Sequence, residues 1–457
     1  MKKIKFKTLF EYLFIFLSVF IFDTFLYAIT HLDLLWTFGF GYNVANGLIP
    51  YKDFNMVIGP VCPYLLGLLM SIFGKNLFVY NLIFAIIVTS IYYFLKKYGT
   101  KTVAMSIIFI YINILFPGYN VLCLLLYYII YNLEENKKSD YLIGILISIL
   151  FFTKINAGVL LLIPTFILHY KNINKILKRI VGFLTASLVF LIILSLTNSL
   201  YQFIDYTILG LFDFGSKNLH IDTSIILLLI ALLYLLINII KYKKITNKYI
   251  YALVFLAFAY PLLELNHIFI AIIPTITIIS NNLKKYFKTK YLTIIPILFL
   301  ALIYAYNIII IKNTDYKKNK DLTLYKYGYE HKHIVDFNKD LTQYFEKNYT
   351  DSKLFITSRF AYMFKISLNM PIDKYDLINN GNMGFNGIDK YINEIDNYCK
   401  ENKCVFLLFM QEYNDNSKDN QTNKDITKYV LKNYNKREDL GYSYLIYDNT
   451  KICMFEK

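Results

Sequence analysis

Several motifs that identify well-known enzyme classes are missing from these 457 residues. The chain has no glycine-rich loop of the kind that cradles phosphates, no HExxH metalloprotease motif and no GxSxG nucleophile elbow. Its five cysteines show no metal-ligand spacing, and we find no internal repeat. These absences exclude the enzyme classes defined by those motifs. Any chemistry must therefore come from other side chains.

Acidic residues are scarce in the first two thirds of the chain. Residues 1–311 carry 25 Lys and Arg but only 11 Asp and Glu, whereas residues 312–457 carry 23 and 21. The excess positive charge is spread over short connections between apolar segments. Nucleic-acid binding would need that charge on one soluble surface, so we expect no nucleic-acid partner.

Hydrophobic residues make up 56% of the chain and its mean hydropathy is +0.43, which is typical of a membrane protein. Basic connections such as LKKYGTK alternate with connections that hold the acids, so we place the basic ones in the cytoplasm. We predict a polytopic α-helical protein of the cytoplasmic membrane with about 11 transmembrane helices and a cytoplasmic amino terminus. The number of transmembrane helices depends on whether residues 61–74 span the membrane and on how residues 141–169 divide at Lys154.

Residues 312–457 are less apolar, and we predict that they form a small extracytoplasmic α/β domain. Amphipathic helices are expected around 334–345, 388–399 and 426–434, with strands at LFITS, VFLLFM and YSYLIYD. The turn-rich segment 378–387 could cover a membrane-side site, but a plain surface loop is the simpler interpretation. Cys399 and Cys404 could form a disulfide in an external domain. We favour free or buried thiols.

The candidate chemistry lies in the first predicted external loop, residues 30–60. Asp33 and Asp53 lie there, directly after the first apolar segment. A carboxylate at a membrane–water boundary can act as a general base on an acceptor hydroxyl, or it can hold a divalent metal ion. Lys154 lies in an apolar stretch, where a charge is costly and usually functional.

Three segments resemble the GT-C glycosyltransferases, the superfamily of bacterial protein O-mannosyltransferases and lipid A aminoarabinose transferases. In the first segment, the matching positions are Asp33, Gly47, Pro50, Tyr51, Asp53, Phe54, Pro60, Tyr64, Phe73 and Gly74. FFTKINAG, with Lys154 and Asn156, is similar to a membrane segment with a central lysine. YPLLELNHIFIAIIP is similar to a third segment through Pro261, Glu264 and His267, although Leu262 stands where an arginine is usual.

The resemblance implies a GT-C-like catalytic domain over residues 1–311. It implies that Asp33 is the catalytic residue of an inverting transfer, from a polyprenyl-phosphate-linked sugar to an extracytoplasmic glycan, lipid or protein. Membrane lipid is then a second partner. The expected substrate-binding residues are Asp53, Lys154, Asn156, Glu264 and His267. Whether a divalent metal ion takes part stays open. Leu34 stands where the family often has a second acid, and this speaks against a metal site.

Simpler structural interpretations exist for three of these candidate residues. Asp33 could cap an interfacial helix, Asp53 could close a turn, and Lys154 could extend towards the membrane surface. Two other classes of protein also fit the sequence. One is a transporter or flippase of a lipid-linked precursor, and the other is a non-catalytic membrane assembly protein.

Overall fold

The structure is a computed structural model. It describes residues 6–26, 32–114, 117–217, 219–242, 246–284, 290–321, 324, 326, 327, 329–348, 352–358, 361–367, 370, 372, 374, 376, 383–385, 387–409, 421–443 and 450–456.

The described residues up to Asn313 are mostly helical. In chain order the elements are α1 (Phe6–Phe25), α2 (Leu32–Ala45), α3 (Val61–Phe73), α4 (Leu77–Tyr98), α5 (Lys101–Ile114), α6 (Tyr119–Glu135), α7 (Asp140–Phe151), α8 (Ile155–His169), α9 (Ile173–Leu196), α10 (Leu200–Phe203), a π-helical segment (Ile204–Leu209), α11 (Gly210–Lys217), β1 (His220–Ile221), α12 (Ile225–Tyr242), α13 (Asn247–Leu256), a 3-10 turn (Ala257–Ala259), β2 (Leu262–Leu263), α14 (Leu265–Asn282), a second 3-10 turn (Lys290–Thr293) and α15 (Ile294–Asn313).

The apolar composition of these helices suits a membrane. Five of them, α1, α4, α9, α14 and α15, are long and apolar enough to cross one, and six other apolar helices have 10–17 residues. Leu188 of α9 and Leu302 of α15 are 58% and 68% exposed, so the bundle presents apolar side chains outward. The chain is thus a polytopic helical membrane protein. The number of spans, about 11, stays a prediction.

Helices α1 and α4 run in opposite directions, and their contacts define the two ends of the bundle. On α1, Glu11 pairs with Lys96 near the end of α4, whereas the carbonyl of Asp23 accepts a hydrogen bond from Asn81 near the start of α4. The end of the bundle at which Asp23 and Asn81 meet and α6 begins is called the Asp33 end. The other, where α6 finishes, is called the Glu134 end.

Helices α7 and α8 form a hairpin whose tip is 152–154. The close approach of α7 to α9 depends on glycine: a Cβ at Gly144 would lie 2.0 Å from the carbonyl oxygen of Arg179. Helix α8 runs back towards the Glu134 end, where the His169 ring lies 3.0 Å from the Glu134 carboxylate. The predicted interruption of 141–169 at Lys154 is therefore present, and it is a reversal of direction.

The segment near 61–74 packs lengthwise on α2. A Cβ at Gly41 would lie 2.7 Å from Leu66, and one at Gly67 would lie 2.3 Å from Val44. Helix α3 has only 13 residues, about 20 Å of rise. It is too short to cross the hydrocarbon core of a bilayer.

Residues after α15 form a mixed sheet with helices around it. The elements are β3 (Tyr316–Lys317), β4 (Glu330–His331), α16 (Lys332–Asn348), β5 (Lys353–Thr357), α17 (Ala361–Ser367), α18 (Gly387–Glu401), β6 (Cys404–Phe409), α19 (Gln421–Asn433), β7 (Asn435–Ser443) and β8 (Thr450–Glu456). Strand order is β5-β6-β8-β7, with β5 parallel to β6 and the other two pairs antiparallel.

The three predicted helices correspond to α16, α18 and α19, and the strands LFITS and VFLLFM correspond to β5 and β6. The third predicted strand begins at Tyr442, where β7 is already ending, and 444–449 lie outside the described residues. Strand β8 was not predicted. The expectation of free thiols is wrong for Cys399 and Cys404, which form a disulfide between the end of α18 and the start of β6.

Candidate active site

A cavity of about 650 Å³ opens at the Asp33 end of the bundle. Its walls come from the 57–58 loop, the start of α6, the hairpin tip, the 206–214 segment, and the turn before α14. The lining side chains that carry polar groups are Tyr119, Lys154, Asn156, Tyr206, Thr207, Tyr260 and His267. The rest of the lining is apolar, as expected of a small-molecule site with a few placed polar groups.

Lys154 is the residue just before α8, at the hairpin tip. Its ammonium donates to the side-chain oxygen of Asn120 at 2.9 Å and lies 4.0 Å from the centre of the Phe258 ring. Among the described residues it has no carboxylate within ion-pair distance. A positive charge in an apolar cavity without a bonded acid is suited to an anionic ligand.

His267 is the second nitrogen-bearing side chain of the cavity that could contact an anionic ligand. It lies in the first turn of α14 and is 5% exposed. Its Nδ1 lies 3.1 Å from Oε1 of Glu264, the residue that precedes the helix. Glu264 is 37% exposed and is not part of the cavity wall. It orients the ring, and a proton held on Nδ1 directs Nε2 to other partners.

Asn156 joins the hairpin to the turn before α14. Its amide nitrogen donates to the backbone carbonyl of Tyr260 at 3.3 Å, and its oxygen accepts from the backbone of Ala157 at 2.8 Å. Both of these partners belong to the protein. The contacts therefore favour a positioning role for Asn156 in this structure.

Asp33 lies in the first turn of α2 and is half-buried. Its carboxylate is within electrostatic range of the Lys154 ammonium and the Tyr119 hydroxyl. The predicted catalytic acid is therefore close enough to the predicted phosphate contact for an attractive Coulomb interaction, although 120 residues separate them in sequence and Asp33 is not among the residues that line the cavity. A carboxylate in the first turn is also favoured by the helix dipole, so stability alone explains part of its placement.

Asp53 is not brought to this cavity. Its carboxylate accepts the backbone N–H of Ile49 at 2.7 Å, and its own N–H donates to the carbonyl of Ile49 at 2.9 Å. These bonds close the turn 49–53, which was the alternative interpretation of PYKD. Its charge is close to Tyr64 of α3.

The hairpin tip is held against the first loop by backbone contacts. The N–H of Gly59 donates to the carbonyl of Thr153 at 3.2 Å, and the N–H of Val61 donates to that of Phe152 at 3.1 Å. A Cβ at Gly59 would lie 1.9 Å from the Phe152 carbonyl oxygen. Only glycine allows this approach, which determines where Lys154 stands.

The C-terminal region contacts the cavity wall from outside. The carboxylate of Asp205, on the π-helical segment, accepts two hydrogen bonds. One comes from the Lys390 ammonium at 2.6 Å and the other from the backbone N–H of Phe385 at 3.2 Å. The neighbour of Asp205, Tyr206, lines the cavity and bonds Asn55 of the first loop. Gly384 has φ +79° and packs on the Asp205 carboxylate. For residues 383–385, the expectation of a plain surface loop is therefore wrong, and 378–382 and 386 lie outside the described residues.

Sequence reasoning missed Tyr119, which lines the cavity, and Asn120, which accepts the hydrogen bond of Lys154; they are the first residues of α6. A signal for them was present. PGYN ends a short connection on the same side as Asp33 and starts a helix, which places both side chains at the Asp33 end. Tyr206 carried no such signal, because nothing in the 198–222 segment distinguishes it.

The residues around Asp33 do not fit a divalent metal ion. Within the described ranges, no group of three or more His, Cys, Asp or Glu side chains comes together. The positive charge of Lys154 interacts with the Asp33 carboxylate and opposes a cation bound there. No step is therefore assigned to a metal.

Comparison with solved structures reveals similar folds. ArnT from Cupriavidus metallidurans, crystallised with undecaprenyl phosphate, aligns with a TM-score of 0.57 over 98% of this chain and 97% of its own, at 8% identity. The Archaeoglobus fulgidus oligosaccharyltransferase with zinc and sulfate aligns over 89% and 68%, with a TM-score of 0.43 and 13% identity. Its complex with a tethered acceptor peptide aligns over 88% and 69%, with a TM-score of 0.45 and 11% identity.

No protein-family profile and no curated protein sequence matches the chain. The alignment with ArnT spans nearly the whole of both chains. It shows that this chain has the same fold as ArnT.

Proposed function

We propose, from the fold that the chain shares with ArnT, that this protein is a membrane glycosyltransferase that takes its sugar from a polyprenyl-phosphate carrier. The observation that carries the proposal is the cavity at the Asp33 end. It is mostly apolar, it holds the Lys154 ammonium and the His267 imidazole on separate elements, and Asp33 is within electrostatic range of Lys154. A lipid phosphate needs such a combination of apolar walls and positive charge. The ArnT crystals contained undecaprenyl phosphate.

The geometry suits an inverting transfer. Asp33 takes the proton of an acceptor hydroxyl while that oxygen attacks the anomeric carbon. The bond between the anomeric carbon and the phosphate oxygen breaks, and its electron pair leaves with polyprenyl phosphate. Lys154 and His267 stabilise the negative charge that develops on this leaving group. Asn156 and Glu264 hold the hairpin and the imidazole in position.

We infer that the Asp33 end and the C-terminal region, residues 312–457, are extracytoplasmic. The basic connections lie at the Glu134 end, which favours the cytoplasm for that side. The Cys399–Cys404 disulfide is typical of an oxidising compartment. The acceptor is then a glycan, lipid or protein outside the cytoplasm.

The test uses the purified chain in detergent with undecaprenyl phosphates that carry radiolabelled hexoses, hexosamines or pentoses. Release of undecaprenyl phosphate in the presence of envelope extract reports bond cleavage whatever the acceptor is. Asp33→Asn should insert and purify normally and lose at least about 1,000-fold in turnover, because the acceptor proton has no base. Asp53→Asn is the matched carboxylate control outside the cavity.

Turnover of Asp33→Asn within tenfold of wild type would remove the mechanism. Movement of the labelled lipid across reconstituted vesicles without cleavage would instead identify a flippase.

A further inference from the structure

A second cavity of about 600 Å³ lies at the Glu134 end, between α4, α6, α13 and α14. Helix α6 passes both cavities: Tyr119 lines the first, and Glu135 lines the second. These residues are 16 positions apart on one helix, about 24 Å along its axis. The second cavity is therefore separate from the candidate active site.

The second cavity differs from the first in its chemistry. Two lysines, one glutamate and a group of tyrosines contribute to its walls. The lining residues are Lys97, Tyr98, Tyr127, Tyr128, Tyr131, Glu135, Lys248, Pro274, Thr277, Ile278 and Asn281. Aromatic faces with hydroxyl donors at their edges, together with ammonium groups, are suited to a ligand that is apolar at one end and anionic at the other.

Among the described residues, Lys97 and Lys248 lack the acidic partners that Lys96, Lys101 and Arg179 have. Lys96 and Lys101 both pair with Glu11, and Arg179 pairs with Glu134 and Asp140. The bonded partners of the two cavity lysines are amides.

Lys97 donates to the side-chain oxygen of Asn132, and Lys248 donates to that of Asn282 at 3.4 Å. Neither forms an ion pair within the described part of the chain. With Glu135 also present, the cavity keeps a net charge of about +1.

A lipid can reach this cavity along α4. Tyr93 lies one helical turn before Lys97 and is 46% exposed, and Ile86 is 54% exposed two turns further back. An acyl chain lying on this apolar face would bring its headgroup to Lys97. Basic pockets between transmembrane helices are a common form of lipid-headgroup site.

We propose that this second cavity binds the phosphate of an anionic phospholipid headgroup between Lys97 and Lys248, with the tyrosine rings against the glycerol. The proposal does not rest on the glycosyltransferase function, because no residue of the first cavity takes part. A free phosphate ion shares this chemistry, so the test must separate the two sources.

The test is native mass spectrometry of the full chain in dodecyl maltoside micelles doped with phosphatidylglycerol or phosphatidylcholine. The doubly substituted chain, Lys97→Gln with Lys248→Gln, should retain phosphatidylglycerol at least about tenfold more weakly than wild type, because two charges are lost. Lys171→Gln is the matched control. Its ammonium also lies beside a ring, 5.4 Å from that of Tyr170, but outside the cavity.

Equal phosphatidylglycerol retention by wild type and the double variant would overturn the proposal. Equal retention of phosphatidylcholine and phosphatidylglycerol by wild type would do the same, because charge would then play no part. A third arm adds millimolar inorganic phosphate. If it displaces the lipid and raises Tm as much as phosphatidylglycerol does, the ligand is a soluble anion and the lipid assignment is wrong.

Discussion

At the scale of single residues, the candidate site depends on charge in an apolar setting. Lys154 meets Asn120, Phe258 and Tyr119 but has no bonded acid among the described residues. A group with that environment contributes little to folding and is available to an anionic ligand. The residue-scale predictions therefore separate binding from stability.

Lys154→Gln should raise KM for the undecaprenyl-phosphate sugar by about 10- to 100-fold, because a charge-assisted contact contributes about 1.5–3 kcal/mol. Its thermal stability should stay close to that of wild type. Lys52→Gln is the control, since Lys52 is an exposed lysine on the first loop. Initial rates at varied donor concentration measure the effect. Unchanged values of both kcat and KM would contradict a role for Lys154 in donor binding or in stabilising the leaving group.

Glu330 of β4 is 2% exposed, and burial raises the pKa of its carboxyl from 4.5 to about 7, partly offset by the N–H of His331. Between these two pH values the folded state binds more protons than the unfolded state. Stability from this group is therefore present below pH 4.5 and is lost as pH rises to about 7, by about 3 kcal/mol at most.

Glu330→Gln should accordingly lose less stability than wild type between pH 4.5 and 7.5, measured as the change in Tm. Asp340→Asn, on the exposed face of α16, is the control and should follow wild type. Parallel Tm curves for wild type and Glu330→Gln would contradict the assignment.

At the scale of elements, the α7–α8 hairpin determines the geometry of the site. Its tip carries Lys154, and the first loop holds the tip through Gly59. The glycines between α7 and α9 bring the base of the hairpin against its neighbour. Small residues at such contacts let two backbones approach closely, which is the usual way in which membrane helices associate.

Gly59→Ala should lower stability by about 1–3 kcal/mol or more and move the hairpin tip, because its Cβ would overlap the Phe152 carbonyl. Donor turnover should fall with it. Gly215→Ala is the matched control, since a Cβ there meets only the Tyr260 hydroxyl at 4.0 Å. Thermal unfolding and turnover of both variants provide the measurement, and equal behaviour of the two would refute the close contact.

At the scale of the whole molecule, the C-terminal region is attached to the Asp33 end by several polar contacts. Asn43 of α2 donates to the carbonyl of Ile372 at 2.7 Å, and Lys390 pairs with Asp205 at 2.6 Å. The sheet and the cavity therefore share one side of the bundle. If the Asp33 end faces outward, the disulfide does too.

Membrane-impermeant phosphine followed by an impermeant maleimide should label about two additional thiols per chain in intact cells. Cys62 and Cys123 are buried in the bundle and should not contribute. The Cys399→Ser, Cys404→Ser double variant is the control and should lose the gain. A gain that requires permeabilised cells would place the C-terminal region in the cytoplasm and contradict the proposed topology.

Sequence alone was enough to predict the polytopic helical class, the interruption at Lys154 and the α/β character of the C-terminal region. The length of apolar segments, the charge of their connections and the periodicity of side chains are local properties, and they determine directly whether a segment fits a bilayer or a protein core. The resemblance to the GT-C segments also identified Lys154, Asn156 and His267, three residues that line one cavity.

Only the tertiary structure decided which of the candidates meet. Asp53 closes a turn, and Glu264 orients His267 from outside the cavity wall. Tyr119 and Tyr206 line the cavity from distant segments, and Asn120 bonds Lys154. The second cavity was likewise invisible in the sequence, because its lysines lie on α4 and α13, 151 residues apart. Contacts between such segments depend on how the helices pack, and no local pattern of residues encodes that arrangement.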